Sequence, residues 1–185
     1  MIALGARPPV ADAQVLLTQE EALSLAFPPH ATVERRTAYL DQEEIVEVGE
    51  RMKPAKAKDR AVVTYYVGLL DGKPLGAAYF DAHRVRTLQE VLMVVVDPRG
   101  RVSRIEILGF AEPPDYMASD GWLDLFTGRG LEPGTSSRGD IPIITGATLT
   151  SHAVSDAVRL SLALYSVIQP FETPAQAAAN ADPRP

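Results

Sequence analysis

A run of small and hydroxyl-bearing residues near the C-terminal end is the part of this chain best suited to chemistry. Thr145-Gly146-Ala147-Thr148 is a small-residue turn, and Leu149 and Thr150 follow it at the start of a predicted helix. The first amides of a helix lack intrahelical acceptors and lie at the positive end of its dipole, so they attract anions. The run therefore indicates a phosphate-binding site. The alternative is that Thr148, Thr150 and Ser151 only cap the helix.

The elements that must position this turn are predicted from periodicity and capping. Thr18 with Glu21 and Asp41 with Glu44 are capping boxes, which predict helices that end near residues 27 and 52, with an extended segment between them. β-Branched and aromatic residues, separated by turn residues, predict two hairpins with strands over 61–67, 74–86, 90–96 and 102–110. A short helix over 116–126 and a glycine-rich loop follow. Helical spacing of apolar residues predicts a long last helix over 149–168.

Four strands joined by tight turns, with helices before and after them, predict the α+β class. We expect an antiparallel twisted sheet of hairpins flanked by helices, with the long C-terminal helix packed on the sheet. Residues 14–170 would form one domain and 171–185 a disordered tail. Residues 1–13 end in the small-x-small sequence Ala11-Asp12-Ala13, which is typical of a leader cleavage site, so they are either a leader remnant or a disordered arm.

Composition excludes several classes of function. The chain has no cysteine, which excludes disulfides, thiolate metal sites and iron–sulfur ligation, so any redox chemistry needs an organic cofactor. A net charge of −6 argues against nucleic acid as a partner. The sequence contains no apolar run of about 18 residues, so it predicts no membrane span in this chain. His30, His83 and His152 are too scattered to predict a metal site, and no catalytic triad is visible.

The segment 145–151, continued by Ala153-Val154 and Asp156-Ala157-Val158, resembles the S/T-G-A-T-x-T-S motif of the FMN-binding domain family. That family includes the C subunit of sodium-pumping NADH:quinone reductase, the G subunit of the Rnf complex and many secreted electron-transfer flavoproteins. The resemblance spans roughly residues 60–168. It implies FMN as the cofactor, bound by Thr145, Gly146, Ala147, Thr148, Leu149 and Thr150.

The resemblance also implies how the flavin is attached. In the family, a Mg-dependent flavin transferase uses FAD to join FMN through a phosphoester bond to the last Thr of the motif, which is Thr148 here. Covalent members usually carry Asp three residues before the motif, whereas this chain has Pro142 there and Asp140 two residues earlier. Either Asp140 substitutes through a bent loop, or the flavin is bound noncovalently.

A second likeness covers Phe110 to Tyr116, which corresponds to a family loop lying along the flavin ring. It implies that Glu112 and Tyr116 line the ring and that Trp122 stacks on it, the alternative being that these side chains fill the core. The stretch His83–Arg86 could place a cation near the phosphate or near the flavin pyrimidine, where charge tunes the reduction potential, but it fits the polar edge of a strand better.

Taken with the resemblance, these observations favour an electron-transfer flavoprotein outside the cytoplasm, periplasmic or secreted, with FMN on Thr148. It would act as a redox carrier or subunit between partner proteins rather than as a stand-alone enzyme, and a flavin transferase would mature it. Two alternatives stay open: a noncovalent FMN-binding sensory or regulatory module, and a flavin-free structural subunit.

Overall fold

A single antiparallel sheet forms the centre of the molecule. The structure, a computed structural model, describes residues 14–53 and 60–171. Its six strands are β1 Gln14–Val15, β2 Thr32–Tyr39, β3 Val62–Leu70, β4 Lys73–Arg84, β5 Gln89–Val96 and β6 Val102–Phe110. They lie in the order β1-β6-β5-β4-β3-β2, so β2 to β6 are side by side in sequence order and β1 pairs with the far edge at β6.

The two predicted hairpins are confirmed. The turn between β3 and β4 places Asp71 and Gly72 at positive φ, 50° and 74°, where glycine and aspartate are tolerated best. The turn between β5 and β6 has Gly100 at φ 74°, and the Asp97 carboxylate accepts hydrogen bonds from the amides of Arg99 and Arg101. The turn residues thus direct both reversals.

The helices are α1 Gln19–Ala26, α2 Gln42–Met52, α3 Asp120–Leu123 and α4 Thr148–Ile168. Both predicted capping boxes are present, since Thr18 accepts from the Glu21 amide and Asp41 from the Glu44 amide. The predicted last helix is confirmed to within one residue at its start. None of the helices in the described ranges is long and apolar enough to cross a membrane.

Two expectations differ from the structure. The single helix predicted over 116–126 is replaced by two 3-10 turns, Pro114–Tyr116 and Asp124–Phe126, on either side of the one-turn α3. This path buries Trp122, Leu123 and Phe126 together. The sheet also gains β1 and β2 beside the four strands of the hairpins. β2 confirms the extended segment expected between the first two helices, and it joins the sheet as an edge strand whose side chains alternate between exposed and half-buried from Val33 onward.

The core has two layers, one on each face of the sheet. The larger is formed by α2, α3 and α4 against alternate residues of the central strands, including Tyr79, Leu92 and Val94. The smaller lies under α1, where Phe27 belongs to a buried cluster with Ala78 and Met93. The predictions for residues 1–13 and for 172–185 fall outside the described residues.

Arg159 holds α4 in place from within the core. The residue is 3% exposed, and among the described residues its guanidinium donates to backbone carbonyls only: Nε to Met52 at 3.0 Å, Nη1 to Glu132 at 2.9 Å and Nη2 to Arg51 at 3.0 Å, with a further bond to Lys53. Carbonyls at the end of a helix lack intrahelical donors and lie at the negative end of its dipole. The end of α2 is thus bound to the middle of α4.

Candidate functional site

The turn before α4 is held by buried neighbours on both sides. Ile141 is buried, and Trp122 Nε1 donates to the carbonyl of Pro142 at 2.6 Å. Ser151 Oγ accepts from the Ile144 amide at 2.9 Å and donates to the Ala147 carbonyl at 3.1 Å, which closes the turn. Gly146 has φ 83°, a conformation that residues with a side chain rarely adopt. The sequence therefore specifies this turn at Gly146 and Ser151.

The start of α4 has no side-chain cap. Ala147 occupies the N-cap position, and the amides of Thr148, Leu149 and Thr150 donate to no acceptor in the described part of the chain. The Thr150 hydroxyl instead donates to the Tyr116 carbonyl at 2.7 Å. The capping role considered for Thr148, Thr150 and Ser151 is therefore wrong. The exposed Thr148 hydroxyl has no hydrogen bond within the described residues.

These groups line a pocket of about 350 Å³, which we call the α4 pocket. Its volume lies within the range of small-molecule sites. Its walls come from the end of β4, the segment after β6 and the start of α4. The lining residues are Val85, Arg86, Glu112, Tyr116, Gly146, Ala147, Thr148, Leu149 and Thr150.

Glu112 binds the loop between β4 and β5 rather than standing free. Its Oε1 accepts from three consecutive amides, those of Arg86 at 3.2 Å, Thr87 at 2.7 Å and Leu88 at 2.8 Å. Hydrogen bonds from the Thr87 and Leu88 amides lower the pKa of this carboxyl below its usual range, against the opposing effect of burial. The carboxylate thus holds residues 86–88 against the pocket.

Trp122 does not line the α4 pocket. Its side chain is 8% exposed and packs edge-on against Phe126 with the ring centroids 5.3 Å apart. The expected stacking of Trp122 on a ligand ring is therefore not supported by the geometry. Its indole belongs to the core and reaches the site only through the hydrogen bond to Pro142.

Most of the residues named from the sequence come together. Seven line the pocket: Glu112, Tyr116, Gly146, Ala147, Thr148, Leu149 and Thr150. Thr145 is exposed beside the pocket without lining it. Val85 was missed as a site residue, and Arg86 was considered only as part of a stretch read mainly as a strand edge. No local signal in the sequence marks them, because the contact that brings this segment to the pocket joins it to Glu112, more than 20 residues later in the chain.

His83, from the same stretch, is buried instead of forming a polar edge. Its Nδ1 lies 2.9 Å from Asp81 and its Nε2 lies 2.9 Å from Glu90, and Arg60 pairs with Asp81. Burial disfavours the imidazolium, but the hydrogen bonds and negative charges of Asp81 and Glu90 outweigh it and raise the pKa of His83 from 6.5 to about 9. Two residues after His83, just beyond the end of β4, Val85 lines the pocket.

The groups around the α4 pocket fit a flavin mononucleotide. Free helix amides and an exposed hydroxyl suit the phosphate, while Val85, Leu149 and Tyr116 provide apolar and aromatic walls for a flat ring. Within the described residues, no cluster of His, Asp and Glu side chains could hold a metal ion.

Comparison with known proteins points to the same cofactor. Residues 89–163 match the family model described as the FMN-binding domain, and these residues include every pocket-lining residue from Glu112 onward. No curated protein matches the chain. The match argues against the flavin-free alternative. Residues 89–163, from the start of β5 to near the end of α4, are therefore similar to the FMN-binding domain family, and this match indicates FMN as the cofactor.

Proposed function

We propose that residues 14–170 form an electron-transfer domain that carries FMN in the α4 pocket, with the phosphate on the first amides of α4. The observation that carries the proposal is the uncapped start of α4, where three amides without an acceptor among the described residues lie with the exposed Thr148 hydroxyl at one pocket with apolar walls. A phosphate there would accept hydrogen bonds from these amides. The flavin would supply the redox chemistry, and the protein would bind and orient it.

We further propose that Thr148 carries the flavin covalently. In this step the Thr148 oxygen bonds to the phosphorus of the FMN half of FAD, the pyrophosphate bond breaks, adenylate leaves, and the hydroxyl proton passes to solvent. A transferase needs an accessible acceptor. Thr148, Thr145 and Gly146 are exposed, and Leu149 is 50% exposed, which supports this role.

Intact mass after expression with and without a flavin transferase tests this attachment. We expect a gain of one FMN less one water only with the transferase. Thr148→Val should abolish the adduct while keeping the shape of the side chain, and Thr148→Ser should restore it. Thr127→Val, at an exposed threonine outside the pocket, serves as the control. An unchanged mass with an active transferase would refute covalent attachment.

Noncovalent FMN binding is the second candidate, and it would suit a sensory or regulatory module. Pro142 stands where covalent members have Asp, and the Asp140 side chain is 72% exposed with its Oδ2 3.6 Å from Arg129 Nη1. Asp140 is thus engaged by the preceding loop. Gel filtration in denaturant separates the two candidates, because only noncovalent FMN leaves the protein. Pro142→Asp should then increase adduct formation if the missing carboxylate limits the transferase.

We propose a location outside the cytoplasm and redox proteins as donor and acceptor, on the basis of the family resemblance. Fractionation of cells that express the complete gene tests the location. Stopped-flow reduction and reoxidation of the flavin by candidate partners tests the carrier role. A flavin that binds but exchanges electrons with no partner would favour the regulatory module.

A further inference from the structure

Arg86 and Glu112 are the only charged side chains among the described residues that line the α4 pocket. Arg86 is exposed, and its guanidinium forms no ion pair with any described residue. It also precedes the residues matched by the family model, which begin at Gln89. The pocket therefore contains one cation that is free to meet a negatively charged group.

The hydrogen bonds define the order of the walls around the pocket. The Thr150 hydroxyl joins the start of α4 to Tyr116, and the Glu112 carboxylate joins the same segment to the amides of residues 86–88. Residues 112–116 thus connect the start of α4 to Arg86. FMN is elongated, with its phosphate and its ring at opposite ends. If the phosphate lies on the α4 amides, Arg86 lies toward the ring.

We propose that Arg86 is the charge partner of the reduced flavin ring and that Glu112 is the positioning residue that holds Arg86 beside it. This inference rests on the proposed function. Reduction of the flavin takes two electrons from a donor, dithionite in the test below, and one proton from solvent, which leaves one negative charge on the pyrimidine part of the ring. A guanidinium beside it stabilises that charge, and more strongly in a partly desolvated pocket than in water.

Arg86 variants test the charge partner. The midpoint potential of bound FMN would be measured by dithionite titration against a reference dye, and affinities for FMN and riboflavin by fluorescence, on protein made without a transferase. We expect Arg86→Gln to make the midpoint potential more negative, and Arg86→Lys to shift it by a smaller amount in the same direction. In each variant the affinities for FMN and for riboflavin should change by the same factor. Arg84→Gln, at an exposed arginine of β4 that does not line the pocket, is the control.

Two results would overturn the role of Arg86. One is an unchanged potential in Arg86→Gln. The other is a loss of affinity for FMN without a loss for riboflavin, which would assign Arg86 to the phosphate. If wild-type protein binds neither FMN nor riboflavin, the proposed function fails instead, so the two failures are distinguishable.

Glu112 variants test the positioning role through the direction in which they shift the midpoint potential of bound FMN. Glu112→Gln removes a negative charge but keeps an acceptor for the amides of residues 86–88, so its potential should equal or exceed that of the wild type. Glu112→Ala also removes the acceptor, so its potential should lie below that of Glu112→Gln. In the Arg86→Gln background this difference should vanish. A difference that persists there would show that Glu112 does not act through Arg86.

Discussion

Replacing Arg159 by methionine should destabilise the protein strongly, because a buried guanidinium is the hydrogen-bond donor for four carbonyls. Methionine keeps a flexible chain of similar shape without donors. A buried acceptor left without a partner costs about 1–3 kcal/mol. If solvent reaches the two outermost carbonyls at the end of α2, two remain orphaned, and the expected loss is about 2–6 kcal/mol. That is a large share of the roughly 5–15 kcal/mol that stabilises a typical domain.

Urea unfolding followed by tryptophan fluorescence measures this loss, since Trp122 is the only tryptophan and lies in the core. Arg159→Lys keeps the charge but loses the planar guanidinium with its several donors. Its free energy of unfolding should therefore lie between those of Arg159→Met and the wild type. Arg99→Met is the control, because that side chain is 80% exposed and should change stability by less than about 0.5 kcal/mol. A loss below about 1 kcal/mol in Arg159→Met would refute the reasoning.

Three further predictions concern the pH dependence of stability and the effect of adding a side chain at two glycines. Because the pKa of His83 is about 9 when folded and 6.5 in its ordinary state, its contribution is complete below pH 6.5 and is lost as the pH rises through 9. This contribution is at most about 3 kcal/mol, and urea titrations of His83→Gln should lack this fall. Gly68→Ala should cost about 1–3 kcal/mol in urea unfolding, because the new Cβ would lie 2.2 Å from the Phe27 ring, whereas Gly121→Ala meets nothing. Gly146→Ala should lower the melting temperature by an amount equivalent to about 1 kcal/mol, since φ 83° strains alanine without a clash.

Local signals in the sequence are sufficient to predict most of the fold and the wall of the site that the start of α4 forms. Thr18 and Asp41 each carry a complete capping box within four residues, and the turn at Asp71 and Gly72 needs no distant partner. The same holds for Gly146 and the residues around it. These features depend on neighbours along the chain, so a reading of the sequence finds them.

The features that sequence reasoning missed depend on distant partners. The acceptors of Arg159 lie on α2 and on the loop near Glu132, and the donors to Glu112 lie more than 20 residues earlier in the chain. An isolated Arg or Glu has the same appearance whether it is solvated or buried against such partners. His83 was read as a strand edge because its buried partner Glu90 lies across a hairpin, beyond the reach of a local pattern.

The buried ionic contact at His83 has a consequence for the register in which β4 and β5 pair. β5 is apolar on both faces, since Leu92 and Val94 enter one core layer and Met93 and Val95 the other. A strand of this kind slides at little hydrophobic cost, because a shift by one residue exchanges one apolar face for another. In the native pairing His83 lies opposite Glu90. Any slip would leave a buried carboxylate without its cation, so this one ionic contact excludes the misaligned sheets that the hydrophobic residues alone would accept.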